Sequence, residues 1–357
     1  MRLNVFDYFR GLAIIFIVAG HSILAVMSTA GDAWVIDSIY EKTIVNLIMG
    51  GTALFVFISG YLFHHVFYSK FDYGSFLFKK IKFVFVPYLI LSCVAILYFS
   101  LLKKEMPYVD VLLGFEPNNL RDYLLIGIKY IWTGRVLTAY WYIPFIMLVF
   151  VLSPLIVKFI RFPLHVQVAI ILCLASISLF VHRPVVNLSP VHSLIYFIPY
   201  YLIGIVCSIH HRRVEGFLKG KGYVLSVMVV GLALAQAVFF QNVGNFYKPN
   251  IFLFEGVDIM FFQKTFMCFL LLSVLANLGA ANASILKGLA AASFAIYFLH
   301  PWVLAVLGHL SVTEFFLIFP GMLNALFITI MSLVISLLVA LLVRAVLRKR
   351  SRLFIGW

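Results

Sequence analysis

Ten apolar runs separated by polar joints dictate what this chain can become. They lie at about 11–28, 46–63, 83–101, 140–157, 167–182, 193–209, 222–240, 258–276, 292–309 and 320–343. A helix of roughly 20 apolar residues crosses the ~30 Å hydrocarbon core of a bilayer. Backbone in lipid must satisfy its own hydrogen bonds, and runs of this length do so as helices. With 64% hydrophobic and only 11% charged residues in 357, no stretch remains for a sizeable soluble domain. The expectation is an all-α polytopic membrane protein, one domain over residues 1–357 built from about ten transmembrane helices. The first run has no small-residue cleavage site and is read as a retained helix, not a signal peptide.

The net charge of +14 could point to nucleic acid, but its placement argues for membrane topology instead. With the N-terminus inside, 18 of the 27 Lys and Arg fall on the inner side, against 3 of the 13 acids. They include Lys158, Arg161, Arg212, Arg213, Lys287 and the tail RAVLRKRSR. This positive-inside pattern predicts that both termini are cytoplasmic, and no nucleic-acid partner is expected. Cys93, Cys173, Cys207 and Cys268 all lie in apolar runs without metal spacing, so they are expected as free thiols packed among helices. No HExxH, GxSxG or P-loop occurs, and no metal is expected.

Two outer loops are long enough to carry function. One runs from Lys103 to about Ala139 and contains KEMPYVDVLLGFEPNNLRDYLL, then IGIKYIWTGRVL, a candidate interfacial helix whose Tyr130, Trp132 and Arg135 suit a membrane boundary. The other is QNVGNFYKPNIFLFEGVD. Both could roof a cavity open to the outside.

Arg10 stands at the mouth of the first run and His21 inside it. Eleven residues of helix rise about 16 Å, roughly half the hydrocarbon core. An ionisable group at that depth is expensive and marks a functional site by default. His21 reads either as a general base or as a packed side chain bonded to a neighbouring helix. Arg10 reads either as a topology anchor or as a fork for phosphate oxygens.

Four further segments carry information. GGTALFVFISGYLF (50–63) offers Gly50, Gly51, Ser59 and Gly60 for close helix approach. FLFKKIKFVFVPYLI (76–90) sets Lys79, Lys80 and Lys82 before Pro87, either as an anchor or as an electrostatic cradle for a nucleotide. YWYIPFIMLVFVLSPLI (140–156) opens on an aromatic cluster containing Tyr140 and Trp141. SFAIYFLHPWVLAVL (293–307) places His300 beside Pro301, which frees the Tyr297 carbonyl and could kink the helix.

In this order and spacing the segments resemble the acyltransferase-3 family of bacterial integral-membrane O-acyltransferases. FDYFRGLAIIFIVAGHS resembles its R-x10-H first helix, ALFVFISGYLF its second, KKIKFVFVPYLI its basic stretch ending in Pro, WYIPFIMLVFVLSPLI its fourth segment and SFAIYFLHPWVL its SxxIYLxHP segment. The resemblance implies a multi-pass enzyme of the bacterial inner membrane. It would move an acyl group from cytoplasmic acyl-CoA, most commonly acetyl-CoA, to a hydroxyl of a surface or lipid-linked glycan, directly or through a relayed acyl group.

It further implies His21 as base, with Arg10, Lys79, Lys80 and Lys82 on the CoA phosphates. Ser59, Arg135, Tyr140, Trp141 and His300 are the substrate-binding candidates. The chain departs from the family at Phe83, where many members carry Arg or Lys, and at Ala139, where many carry His. The rival reading is an exporter or flippase of a polysaccharide or lipid-linked sugar, whose transport would survive His21→Ala. Oligomeric state is not readable from the sequence.

Overall fold

The computed structural model describes residues 3–31, 34–103, 105–240, 242–276, 284–315 and 319–357. Lys104 and Gln241, which belong to the two outer loops, lie outside them. Among the described residues, eight helices are long and apolar enough to span a membrane: Val5–Ala30, Ile39–Lys70, Tyr73–Lys103, Leu164–Val181, Pro190–Ile209, Gly222–Phe239, Ser284–His309 and Gly321–Ile355. The pair Tyr142–Val151 and Ser153–Ile160, bent by 59°, stands where the fourth run was expected. The shorter apolar helix Ile259–Leu275 stands at the eighth. Every predicted run therefore has a helical counterpart, and the chain is an all-α polytopic membrane protein. The second and third are longer than the sequence suggested, beginning at Ile39 and Tyr73.

The bundle is held by close backbone approach. A methyl group at Gly60 would collide with the Tyr201 carbonyl, and one at Gly204 with the Phe57 carbonyl. The second span and Pro190–Ile209 are thus locked at two reciprocal glycines, as small residues do where no water drives helices together.

The second span is broken. Ile39–Ile48 ends at Met49, Gly50 turns with φ +80°, and Thr52–Leu62 resumes. Glycine suits Gly50 because the left-handed region disfavours a Cβ. The break leaves helix-end carbonyls without helical partners. Lys264, fully buried, donates its ammonium to the carbonyls of Asn46 (3.1 Å) and Leu47 (2.8 Å), and Gln263 also donates to Asn46 (3.1 Å). A cation at a helix C-terminus is favourably placed against its dipole. The Asn46 side chain accepts from the Gly244 amide (2.7 Å) and from Gln236 (3.2 Å), which ties the second outer loop to the break.

In the third span the helix absorbs Pro87 by widening to i→i+5 bonding over Ile81–Phe85, where the Val86 amide reaches the Ile81 carbonyl. Ser284–His309 stays one helix through Pro301. Cys207 and Cys268 are buried, but Cys93 and Cys173 lie on exposed faces of their helices, contrary to the expected packing.

Candidate active site

Two cavities lie towards opposite ends of the first helix. The inner one, about 600 Å³, is lined by Arg10, Lys70, Lys79, Lys80 and Arg352, with Asp72 the one acid among its lining residues. Arg10 donates to Ser293 Oγ at 2.9 Å, which fixes the guanidinium against the ninth span. The Lys80 ammonium sits among three rings, 4.4 Å from Phe67, 4.7 Å from Phe150 and 5.2 Å from Phe76. Asp72 caps the helix Tyr73–Lys80 by accepting from the Ser75 amide at 2.8 Å, and that bond holds its carboxyl below the usual range. Lys82 is not part of this lining. Its ammonium stands over Phe78 and Phe83 instead. The chain's last segment, Ser351–Ile355, packs against Val86–Leu97 and brings Arg352 into the cavity, its guanidinium 4.1 Å from the Phe83 ring.

The outer cavity, about 620 Å³, is lined by His21, Thr138, Trp141, Arg135, Arg183 and Tyr247 among others. The two outer loops do line it, through Tyr108 from the first and Asn245 and Tyr247 from the second. His21 Nδ1 is 3.4 Å from Thr138 Oγ1. Its ring centroid lies 5.4 Å from that of His300. His300 Nδ1 donates to the Ile296 carbonyl (3.0 Å), one turn back on a helix loosened at Pro301. A carbonyl only accepts, so the proton is on Nδ1 and Nε2 keeps its lone pair, with no partner among the described residues.

Arg135 follows the helix Leu120–Thr133, which ends at Gly134 with φ +71°. Residues beyond that turn run inward. Tyr130 and Arg135 are buried among protein side chains, and Trp132 alone of the three is exposed. Arg135 donates to the Thr138 carbonyl (3.2 Å) and lies 4.2 Å from the Tyr108 ring. Burial pushes its pKa down, and Tyr108 opposes the shift.

The sequence reading missed Arg183, Asn187, Asn245 and Tyr247. A two-residue parallel bridge pairs Arg183 with Tyr247 and Pro184 with Lys248. The Arg183 guanidinium donates to Asn245 Oδ1 and to Asn187 Oδ1 (3.1 Å) and stands 5.1 Å from the Trp141 ring.

The other candidates are sorted by geometry. Trp141 lines the outer cavity. Ser59 lines the inner one, 3.5 Å from Tyr142 Oη. Tyr140 lines neither. Its hydroxyl donates to the Phe298 carbonyl (2.8 Å) and accepts from Trp302 (3.1 Å), which makes it a brace between spans. His300 stands behind His21, outside the lining. Between the cavities, the Tyr297 ring lies 5.7 Å from Tyr142 on one side and 6.0 Å from His300 on the other.

The comparison with known families decides the identity: an acyltransferase-domain model matches residues 3–341. The chain belongs to the acyltransferase-3 family. It is a membrane acyltransferase, so an acyl donor and an acceptor are its substrates. No curated protein and no solved structure matches it. Among the described residues no cluster of three or more His, Cys, Asp or Glu could hold a metal. Arg352 lies beyond the matched region, so the acyltransferase-3 core recruits a basic group from outside itself to the cavity wall where Phe83 stands.

Proposed function

We propose that this acyltransferase is an O-acyltransferase of the bacterial inner membrane. Acyl-CoA, acetyl-CoA in the commonest case, is taken up at the cytoplasmic cavity. The acyl group passes to a hydroxyl of a surface or lipid-linked glycan in the outer cavity. The observation that carries this reading is that one helix supplies Arg10 to a basic cavity and His21 to a cavity on the other side of Tyr142 and Tyr297.

Arg10, Lys79, Lys80 and Arg352 fit a polyphosphate, because guanidinium forks and ammonium groups suit phosphate oxygens. The surrounding phenylalanines fit an apolar arm leading inward. His21 accepts the proton of the acceptor hydroxyl as its oxygen bonds to the thioester carbonyl carbon. The C–S bond then breaks, and His21 returns the proton to the sulfur. A positioned base of this kind contributes roughly 10²–10⁴-fold. Thr138 orients the His21 ring.

The test is mass spectrometry of surface glycans from cells carrying wild type, His21→Ala and Arg10→Ala at equal membrane levels. The expected result is loss of an acyl mass increment in both variants. An increment that persists in His21→Ala overturns the reading.

A further inference from the structure

The outer cavity holds more positive charge than base catalysis on a hydroxyl needs. Arg135 and Arg183 are each 4% exposed, and both line it. Their guanidinium groups donate to neutral oxygens: the Thr138 carbonyl for Arg135 and two asparagine side-chain amides for Arg183. Both Nε groups are buried without a hydrogen-bond partner among the described residues. Among the described residues, no Asp or Glu lines the cavity. The acid within electrostatic reach of Arg183 is Asp258, and its carboxylate already accepts from the Tyr196 hydroxyl (2.7 Å) and the Phe261 amide (3.3 Å). The buried Lys264 ammonium, packed against the lining residue Gly50, adds to the positive field. Buried charge without a counter-ion is costly, and fixed forks with spare N–H groups are what an anionic ligand needs.

The geometry points to an acceptor that is itself an anion: we infer that its phosphate or carboxylate group docks between Arg135 and Arg183 while its hydroxyl meets His21. This rests on the proposed acyl transfer and narrows its acceptor class. The anion is assigned to the acceptor and not to the acyl chain because both arginines come from outer loops, while Arg10 and the lysines lie beyond Tyr142. Asn187, Asn245 and Tyr247 hold the Arg183 fork in place, and the planar Trp141 beside it offers a face for a sugar ring.

The experiment uses the purified full chain in lipid nanodiscs at fixed ionic strength, with tryptophan fluorescence as the readout, since Trp141 lies beside Arg183. Methyl phosphate, glucuronate and neutral methyl glucoside are titrated into wild type, Arg135→Gln and Arg183→Gln, and CoA is titrated separately as a probe of the inner cavity. The expected result is saturable binding of at least one anion, weakened at least tenfold in each variant, with CoA affinity within about twofold of wild type. Preference for methyl phosphate assigns a phosphorylated or lipid-diphosphate acceptor; preference for glucuronate assigns an acidic sugar. Equal binding of charged and neutral probes, or anion binding unchanged in both variants, overturns the inference. If Arg183→Gln also loses CoA binding, its fold is damaged and Arg135→Gln decides, because Arg135 touches the Thr138 carbonyl and Tyr108 of its own loop, whereas Arg183 joins Asn187 to Asn245 of another loop. Persistence of glycan acylation in His21→Ala sinks the catalytic reading while leaving the anion result standing, so the two failures are distinguishable.

Discussion

The Arg352 guanidinium stacks on the Phe83 ring at 4.1 Å, and both residues line the inner cavity. At Phe83 the cavity wall is an aromatic platform under an arginine from a distant segment of the chain. Arg352→Gln is expected to raise KM for acyl-CoA by about tenfold with kcat little changed, since a lost phosphate contact of this kind is worth ~1.5 kcal/mol. Phe83→Arg in the same background should recover most of that loss. Steady-state release of CoA thiol measures both.

His21→Gln is expected to lower kcat by 10²–10⁴-fold with CoA affinity unchanged, because the side chain stands in the other cavity. His300→Gln should cost less, about tenfold, by removing a ring that backs His21 without lining the site. Single-turnover kinetics beside a CoA binding titration separates the two. A larger loss in His300→Gln than in His21→Gln contradicts the assigned roles.

Gly60→Ala and Gly204→Ala are expected to destabilise the fold by about 1–3 kcal/mol each, because a backbone carbonyl cannot move aside as a side chain can. Thermal unfolding in detergent should show a lower midpoint for both. Gly127→Ala, whose added carbon meets nothing within 4 Å, is the control and should leave the midpoint unchanged.

Lys264→Met keeps the volume and removes the cap on the broken helix. The Asn46 carbonyl keeps its Gln263 donor, and the Leu47 carbonyl loses its ammonium partner, at about 1–3 kcal/mol for a buried group left unsatisfied. Hydrogen exchange should show faster opening around Met49–Gly51, with the outer loop anchored at Asn46 loosened alongside it.

Much of the frame was legible in the chain. Apolar length gave ten helical elements, and the ~1.5 Å rise per residue set His21 about 16 Å beyond Arg10 on one helix. What periodicity could not supply was the face on which each side chain sits. Ser59 and Tyr140 are both substrate-binding candidates by sequence, yet one lines the inner cavity and the other lines neither cavity and braces two spans. Arg183 and Asn245 are 62 positions apart and meet through a two-residue bridge, too short for any strand pattern to announce. One signal was available: Arg183 closes an apolar run directly before Pro184, an uneasy place for a charge unless the fold buries it for use. Arg352 was hidden inside a basic tail that positive-inside topology already explained.

Trp141 lines the outer cavity and its neighbour Tyr142 the inner one. Successive helical positions diverge by about 100°, so adjacent residues can face two compartments. Under the proposed transfer, a partition that thin lets a fragment of a few atoms change sides by exchanging one covalent bond for another, so the reaction itself would carry the acyl group across.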